Sequence, residues 1–184
     1  HPIHDETDVD FMLREDFNAG LSKLESVGMV YDLLIRPEHL ANSISLVDTF
    51  PNQMFVVDHI AKPKIASGEM DPWQTGLRQL AERDNVCCKL SGMVTEANYL
   101  EWGDDEIDFG EFEPYIDIVL EAFGSRRVMF GSDWPVCTLA ATYDEVYDIV
   151  NERIASLSAD EQADIMGNTA TRFYSLSIQE PEYG

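Results

Sequence analysis

Residues 54–59 read MFVVDH, in which four apolar residues are followed by an aspartate and a histidine. A short apolar run that ends in polar residues is typical of a strand buried on both faces. Three other stretches have the same character, namely residues 29–35, 86–91 and 128–133. Because hydrophobicity in these runs is continuous rather than alternating, they favour a parallel sheet that is covered by helices.

Helical patterns fill the segments between these strands. Residues 10–27 carry apolar side chains at helical spacing and are followed by Gly28, the residue that most readily caps a helix in the left-handed conformation. Trp73 lies on the apolar stripe of its helix and is expected in the core, while His39 is expected to be exposed in a first turn. Other helices are predicted from Pro37 to the residue before Pro51, from the cap Asp71-Pro72, over residues 114–123, and at the capping boxes Thr142–Glu145 and Ser158–Glu161. This alternation predicts an α/β fold, and the length predicts that residues 1–184 form one domain.

The chain is strongly acidic. Its 184 residues include 12 Lys and Arg against 35 Asp and Glu, which gives a net charge of -23. Nucleic acids and anionic membrane surfaces bind to basic protein surfaces, so neither is an expected partner of this acidic chain. An excess of carboxylate is also a device of salt-adapted proteins, which leaves two origins open, a saline habitat or an acidic mesophile.

Further features bear on compartment and partner. No apolar run approaches the ~18 residues of a spanning helix, and residues 1–6 have neither the basic nor the apolar part of a signal peptide. The expected location is therefore the cytoplasm. The three cysteines suit neither a disulfide framework nor a zinc finger, and we interpret them as buried thiols. The expected partner is a small-molecule substrate.

Polar side chains stand where the predicted strands end: Asp32 and Arg36, Asp58 and His59, Ser91, Ser132 and Asp133. In parallel α/β folds the site lies at the carboxyl end of the strands, so this pattern predicts a site there. Asp133 follows an apolar strand, where a carboxylate is costly to bury unless it meets a hydrogen bond, a cation or a substrate proton. The alternatives are that Asp133 caps the turn before Pro135 and that His59 is a structural histidine.

Other polar and aromatic residues near these strand ends also have two interpretations. Asp32 and Arg36 form an ion pair or bind a polar ligand. Lys62 places an ammonium beside a substrate carboxylate or carbonyl, unless it is a solvated loop lysine. Trp134 adjoins Asp133 and is therefore the tryptophan expected near the site.

Three segments of the chain resemble successive signature segments of the amidohydrolase-related TIM-barrel hydrolases: residues 55–63, 88–92 and 128–137. Residues 166–174 are similar to the C-terminal helix of that family, and the branch they resemble contains sugar lactonases such as L-fuconolactone hydrolase. The resemblance implies a (β/α)8 barrel of parallel strands and covering helices. In that barrel His59 ends strand six and Asp133 ends strand eight, each facing the scissile carbonyl.

The match departs from the family at its start. The family's first strand ends in a His-x-His pair, whereas His1 and His4 have the spacing His-x-x-His and resemble the family's segment after strand four. A complete barrel needs about 250 residues, so four strands here imply a partial barrel that corresponds to the C-terminal two-thirds of the fold and lacks strands one to four. A partial barrel exposes sheet edges and an apolar inner face, so we expect it to be unstable alone or to associate, for instance as a homo-oligomer.

The resemblance also implies a reaction, the hydrolysis of a cyclic ester and in particular of a sugar-acid lactone. Asp133 is expected to act as general base, and His59 to orient or polarise the carbonyl. The residues expected to bind substrate are His1, His4, Arg36, Lys62 and Trp134. In metal-using relatives, the residues that match His59 and Asp133 coordinate a divalent ion, so the cofactor is either none or one divalent metal such as zinc.

Two alternatives to a lactonase stay open. A metal-dependent decarboxylase of the same superfamily uses the same barrel and carboxylate, although residues 134–137 favour the lactonase branch by resemblance. The other alternative is a catalytically inactive barrel fragment that acts as an interaction module.

Overall fold

A four-stranded parallel sheet forms the centre of the protein in a computed structural model, which describes residues 2–102 and 107–177. The strands are β1 (Tyr31–Leu33), β2 (Phe55–Val57), β3 (Val86–Leu90) and β4 (Val128–Phe130). They pair in sequence order, with Tyr31 opposite Phe55, Phe55 opposite Val86 and Cys88 opposite Val128. The predicted α/β class and the parallel neighbours are confirmed. Each strand is shorter than its predicted run: β1 excludes apolar residues at both ends, and β2, β3 and β4 exclude the polar residues at their carboxyl ends.

Helices alternate with the strands and cover one face of the sheet, except that the last helix packs on the other face. They are α1 (Glu15–Ser26), α2 (Leu40–Thr49), α3 (Trp73–Ala81), α4 (Glu113–Phe123), α5 (Tyr143–Ile154), α6 (Ala159–Ala163) and α7 (Thr169–Phe173), with a π-helical turn at Asp164–Asn168 between the last two. Helix α1 begins at Glu15 rather than at Asp10, because Arg14 is extended and separates the helix from a preceding 3-10 turn. The capping boxes at Thr142 and Ser158 are confirmed, since each hydroxyl accepts the backbone N–H three residues on. In the described ranges, no helix combines the length and apolar character needed to cross a bilayer.

Two side chains near the helix starts show how tertiary contacts decide burial. Trp73 is 1% exposed, as predicted, although Pro72 rather than Asp71 occupies the N-cap position of α3. The expectation that His39 is exposed is wrong, because His39 is only 3% exposed. Its Nδ1 accepts the backbone N–H of Arg36 at 3.2 Å, which turns the imidazole inward.

The two faces of the sheet differ in character. The face toward the helices joins the main core: Leu33, Phe55, Val57, Val86, Cys88, Leu90 and Val128. The opposite face, called here the inner face, carries Val56, Cys87 and Met129, on which Phe173 of α7 packs. Because side chains alternate along a strand, Lys89 of β3 also lies on the inner face. The predicted buried thiols are confirmed, since all three cysteines are buried and free.

Candidate active site

His59 lies on a left-handed turn that follows β2. The four residues from His59 to Lys62 have φ values of 50°, 47°, 61° and 49°. Each residue with a Cβ costs about 1–2 kcal/mol in this region, so the turn persists because neighbouring groups hold it. The Trp73 indole Nε1 donates to the carbonyl of Ile60 at 2.6 Å, and the Lys62 backbone N–H donates to the carbonyl of His59 at 2.8 Å. These contacts fix the direction in which the imidazole points.

The His59 imidazole lies between the ends of β3 and β4. Its Nδ1 is 2.8 Å from Ser91 Oγ, and its Nε2 is 3.7 Å from Asp133 Oδ1. One side of the ring rests on Gly92, where a Cβ would lie 2.7 Å from His59 Cγ. Any other residue at position 92 would therefore displace the imidazole. The carboxyl ends of three adjacent strands thus bring a histidine, a serine and a carboxylate together.

Asp133 follows β4 and also has a left-handed backbone, with a φ of 57°. Its side chain is 15% exposed and that of His59 is 19% exposed, so both are sheltered but reachable. They line a cavity of about 370 Å³ whose other walls include Asp58, Lys89, Ser91, Phe130 and Tyr174. This volume falls in the range of small-molecule sites.

The electrostatics favour a neutral imidazole at this position. Burial lowers the pKa of His59 below its ordinary value, and the nearby carboxylates of Asp133 and Asp58 offset this only in part. Because a carboxylate only accepts hydrogen bonds, the arrangement favours the tautomer with the proton on Nε2, and the Ser91 hydroxyl then donates to Nδ1. The Nε2–H of His59 is therefore available to a carbonyl oxygen in the cavity.

The inner face also carries a charged cluster that the sequence motifs did not predict. Lys89 Nζ lies 2.6 Å from Asp32 Oδ2 and 2.7 Å from Asp58 Oδ1, and the Tyr174 hydroxyl donates to Asp32 at 2.9 Å. Although burial alone lowers the pKa of Lys89, its hydrogen bonds to the two aspartates raise it above the ordinary value. The alternation of side chains within β3 would have identified Lys89, because it places the lysine on the other face of the sheet from Cys88 and Leu90. Asp32 therefore forms its ion pair with Lys89 rather than with Arg36.

The residues predicted to bind substrate are not all gathered at this cavity. Lys62 Nζ is 2.7 Å from Glu96 Oε1, so its ammonium is already paired. His4 lies beside the end of β1, where its backbone N–H donates to the carbonyl of Leu34 at 3.1 Å. Burial lowers the pKa of His4 below its ordinary value, and the Asp5 carboxylate, 3.2 Å from His4 Nε2, offsets this only in part.

The remaining predicted binding residues do not line this cavity or lie beyond the described part of the chain. Arg36 is exposed, and Trp134 is 67% exposed on a neighbouring groove that also includes Leu139 and Tyr143. His1 lies outside the described residues. The binding roles of all these residues stay predictions.

The donor set fits a divalent metal only in part. His59 Nε2 and Asp133 Oδ1 are 3.7 Å apart, a separation that two ligands of one zinc ion can adopt. Over residues 2–102 and 107–177, however, no group of three or more His, Cys, Asp or Glu side chains could hold a metal ion. A complete zinc site would need at least one ligand beyond these two.

The parallel sheet, with a sheltered histidine and carboxylate at its carboxyl edge, has the arrangement in which parallel α/β proteins build their sites. The sequence model of the family described as amidohydrolase matches residues 3–176, and the chain belongs to that family.

Similar proteins agree with this assignment. The chain is 40% identical over 183 residues to an L-fucono-1,5-lactonase of Burkholderia multivorans, covering 96% of this chain and 62% of the relative. It is 32% identical to an L-fucono-1,5-lactonase of Burkholderia ambifaria, covering 95% and 59%. A crystal structure of a Burkholderia multivorans amidohydrolase with bound zinc superposes with a TM-score of 0.90 and 39% identity, covering 96% of this chain and 63% of that one. The chain thus spans about 60% of the length of these relatives, with four parallel strands of an amidohydrolase barrel.

Proposed function

We propose that this protein contributes the catalytic strands of a lactonase that hydrolyses the cyclic ester of a sugar acid. The observation that carries the proposal is the approach of His59 Nε2 to within 3.7 Å of Asp133 Oδ1 in a cavity of about 370 Å³. The similarity to two L-fucono-1,5-lactonases supports the choice of a lactone. A decarboxylase would use the same pair of side chains, so it is the similarity to the two lactonases that favours hydrolysis.

Asp133 acts in this proposal as the general base. Its carboxylate removes a proton from a water molecule as the water oxygen attacks the lactone carbonyl. The tetrahedral intermediate then collapses, the ring C–O bond breaks, and the same proton passes from Asp133 to the leaving ring oxygen. The product is an open-chain hydroxy acid, so one water is consumed and the carboxylate of Asp133 is regenerated.

His59 supports the same reaction without exchanging a proton. Its Nε2–H donates to the carbonyl oxygen, on which negative charge develops in the transition state. Ser91 keeps the imidazole in the required tautomer, because its hydroxyl occupies Nδ1 at 2.8 Å. His4, Arg36, Lys62 and Trp134 are proposed to orient the substrate.

A zinc ion is not required by the steps above, and its binding would replace one of them, because His59 Nε2 cannot both donate a hydrogen bond and coordinate a metal ion. His59 and Asp133 would be two of its ligands, together with at least one other group. A bound divalent ion would supply a water of lowered pKa. Loss of turnover on chelation, with recovery on adding zinc, would assign the ion to this protein.

The test of the proposal is the variant Asp133→Asn, made in the longest form of the protein that its gene encodes. The amide keeps the shape of the side chain but cannot accept the proton of water. Turnover of L-fucono-1,5-lactone and of related sugar lactones should fall by ~10²-fold or more, because positioned proton transfer contributes ~10²–10⁴-fold.

The matched control is Asp84→Asn, which alters an exposed carboxylate at the opposite end of β3. It should leave turnover and the melting temperature unchanged. If Asp133 only caps a turn, Asp133→Asn will lower the melting temperature and leave turnover per folded molecule near that of the parent. That result, or carbon dioxide release from an aromatic acid in place of lactone hydrolysis, would refute the proposal.

A further inference from the structure

Lys89 lies on the inner face of the sheet beneath the turn that carries His59. Its ammonium contacts two carboxylates, Asp32 at 2.6 Å and Asp58 at 2.7 Å, and lies 5.5 Å from the centre of the Tyr174 ring. A buried lysine is costly unless its charge is paired, so these contacts explain how the lysine is tolerated. They do not explain why the middle of an otherwise apolar strand carries a charge.

The position of Asp58 suggests a reason. Asp58 is the last residue before the four left-handed residues from His59 to Lys62. Lys89 of β3 and Ser91, which directly follows β3, are two positions apart, and both line the cavity. The carboxyl end of β3 thus contacts the two residues that follow β2, with Lys89 on Asp58 and Ser91 on His59.

We propose that Lys89 is a positioning residue, which acts through Asp58 to hold the left-handed turn in the geometry that places His59 between Ser91 and Asp133. Without the ammonium, the Asp58 and Asp32 carboxylates repel each other across the ends of β1 and β2. The start of the turn then shifts, and the strain of its four residues is relieved by moving His59. The consequence for turnover rests on the proposed lactone hydrolysis, whereas the consequence for the turn does not.

The molecule contains a reporter of the turn that is independent of activity. The Trp73 indole N–H donates to the carbonyl of Ile60, the second residue of the turn, at 2.6 Å. A change in the turn therefore changes this hydrogen bond and the chemical shift of the indole proton. The signal is assigned in a ¹⁵N–¹H correlation spectrum by its disappearance in Trp73→Phe.

The experiment compares Lys89→Met with Lys23→Met, which removes an exposed lysine of α1. The Trp73 indole signal should move in Lys89→Met and stay in place in Lys23→Met. On a sugar lactone, kcat should fall by roughly 10²-fold with little change in KM, because a misplaced catalytic group affects the transition state more than ground-state binding. Lys89→Arg keeps a cation that can contact both carboxylates, and it should restore the signal and most of the turnover.

A second variant tests the route through Asp58 and remains informative if Lys89→Met does not fold. Asp58→Asn should move the same indole signal, and adding Lys89→Met to it should change the signal little further. An unmoved indole signal in Asp58→Asn, or in folded Lys89→Met, would overturn the proposal and leave Lys89 as a stabilising charge only. A parent protein that hydrolyses no lactone would refute the proposed function, while the indole measurement would still decide the role of Lys89.

Discussion

The variant Gly92→Ala tests whether the His59 imidazole rests on the backbone of residue 92. Gly92 has a φ of 64°, and a Cβ there would lie 2.7 Å from both Cγ and Nδ1 of His59. Two costs follow. An alanine in the left-handed region costs about 1–2 kcal/mol, and forcing extra volume into a packed site costs about 1–3 kcal/mol.

Gly68→Ala separates the two costs. Gly68 has nearly the same φ, 65°, but a Cβ there meets nothing within 4 Å. Gly68→Ala should therefore lower the free energy of unfolding only by the cost of the left-handed backbone, about 1–2 kcal/mol. This loss lowers the melting temperature by about 2–8 °C for a chain of this size. Gly92→Ala should lower the free energy of unfolding by both costs together, about 2–5 kcal/mol.

Urea denaturation of both variants measures the free energies of unfolding, and lactone turnover per folded molecule measures the site. Turnover should fall in Gly92→Ala by roughly 10- to 100-fold, because the added methyl pushes His59 away from Ser91 and Asp133. It should be unchanged in Gly68→Ala. Equal loss of stability in the two variants, with turnover retained in both, would show that the imidazole does not lie against Gly92.

Three other perturbations test burial, substrate binding and charge. The Tyr31 hydroxyl is buried with no hydrogen-bond partner among the described residues, and burial raises the pKa of Tyr31 to about 12. Because the folded pKa lies above the unfolded pKa of about 10, titration of Tyr31 does not affect stability at lower pH and lowers the stability of the fold as the pH rises from 10 toward 12. Tyr31→Phe should therefore keep or raise the melting temperature at pH 7, and the melting temperature of the variant should fall less steeply above pH 10. Destabilisation by more than ~1 kcal/mol at pH 7 would contradict this. Trp134→Ala should raise KM for the lactone at unchanged kcat. Because the ring is 67% exposed, the melting temperature should stay within about 2 °C of the parent's. An unchanged KM would argue against a binding role. If the net charge of -23 reflects a saline habitat, the melting temperature should rise as sodium chloride increases to about 2 M, and no rise would count against that origin.

The sequence by itself predicted the strands, their parallel order and the end of the sheet that carries the site. Buried parallel strands leave a local signature of continuous apolar residues, and connection rules place sequential strands side by side. Once the strands were located, His59 and Asp133 had to emerge at the same edge of the sheet. The capping boxes at Thr142 and Ser158 were predictable for the same reason, since both partners lie within one turn of each other.

Only the tertiary structure decided the contacts that depend on distant parts of the chain. The pairing of Lys89 with Asp32 and Asp58 and the approach of Tyr174 to Asp32 each join groups whose separation in sequence carries no periodic signal. The left-handed turn at His59 is the clearest case, because local preference opposes it at four residues with a Cβ. Contacts from Trp73, Ser91 and Lys89 with residues 58–60 outweigh that preference. Because these three residues come from separate parts of the chain, no local sequence pattern could predict their combined effect.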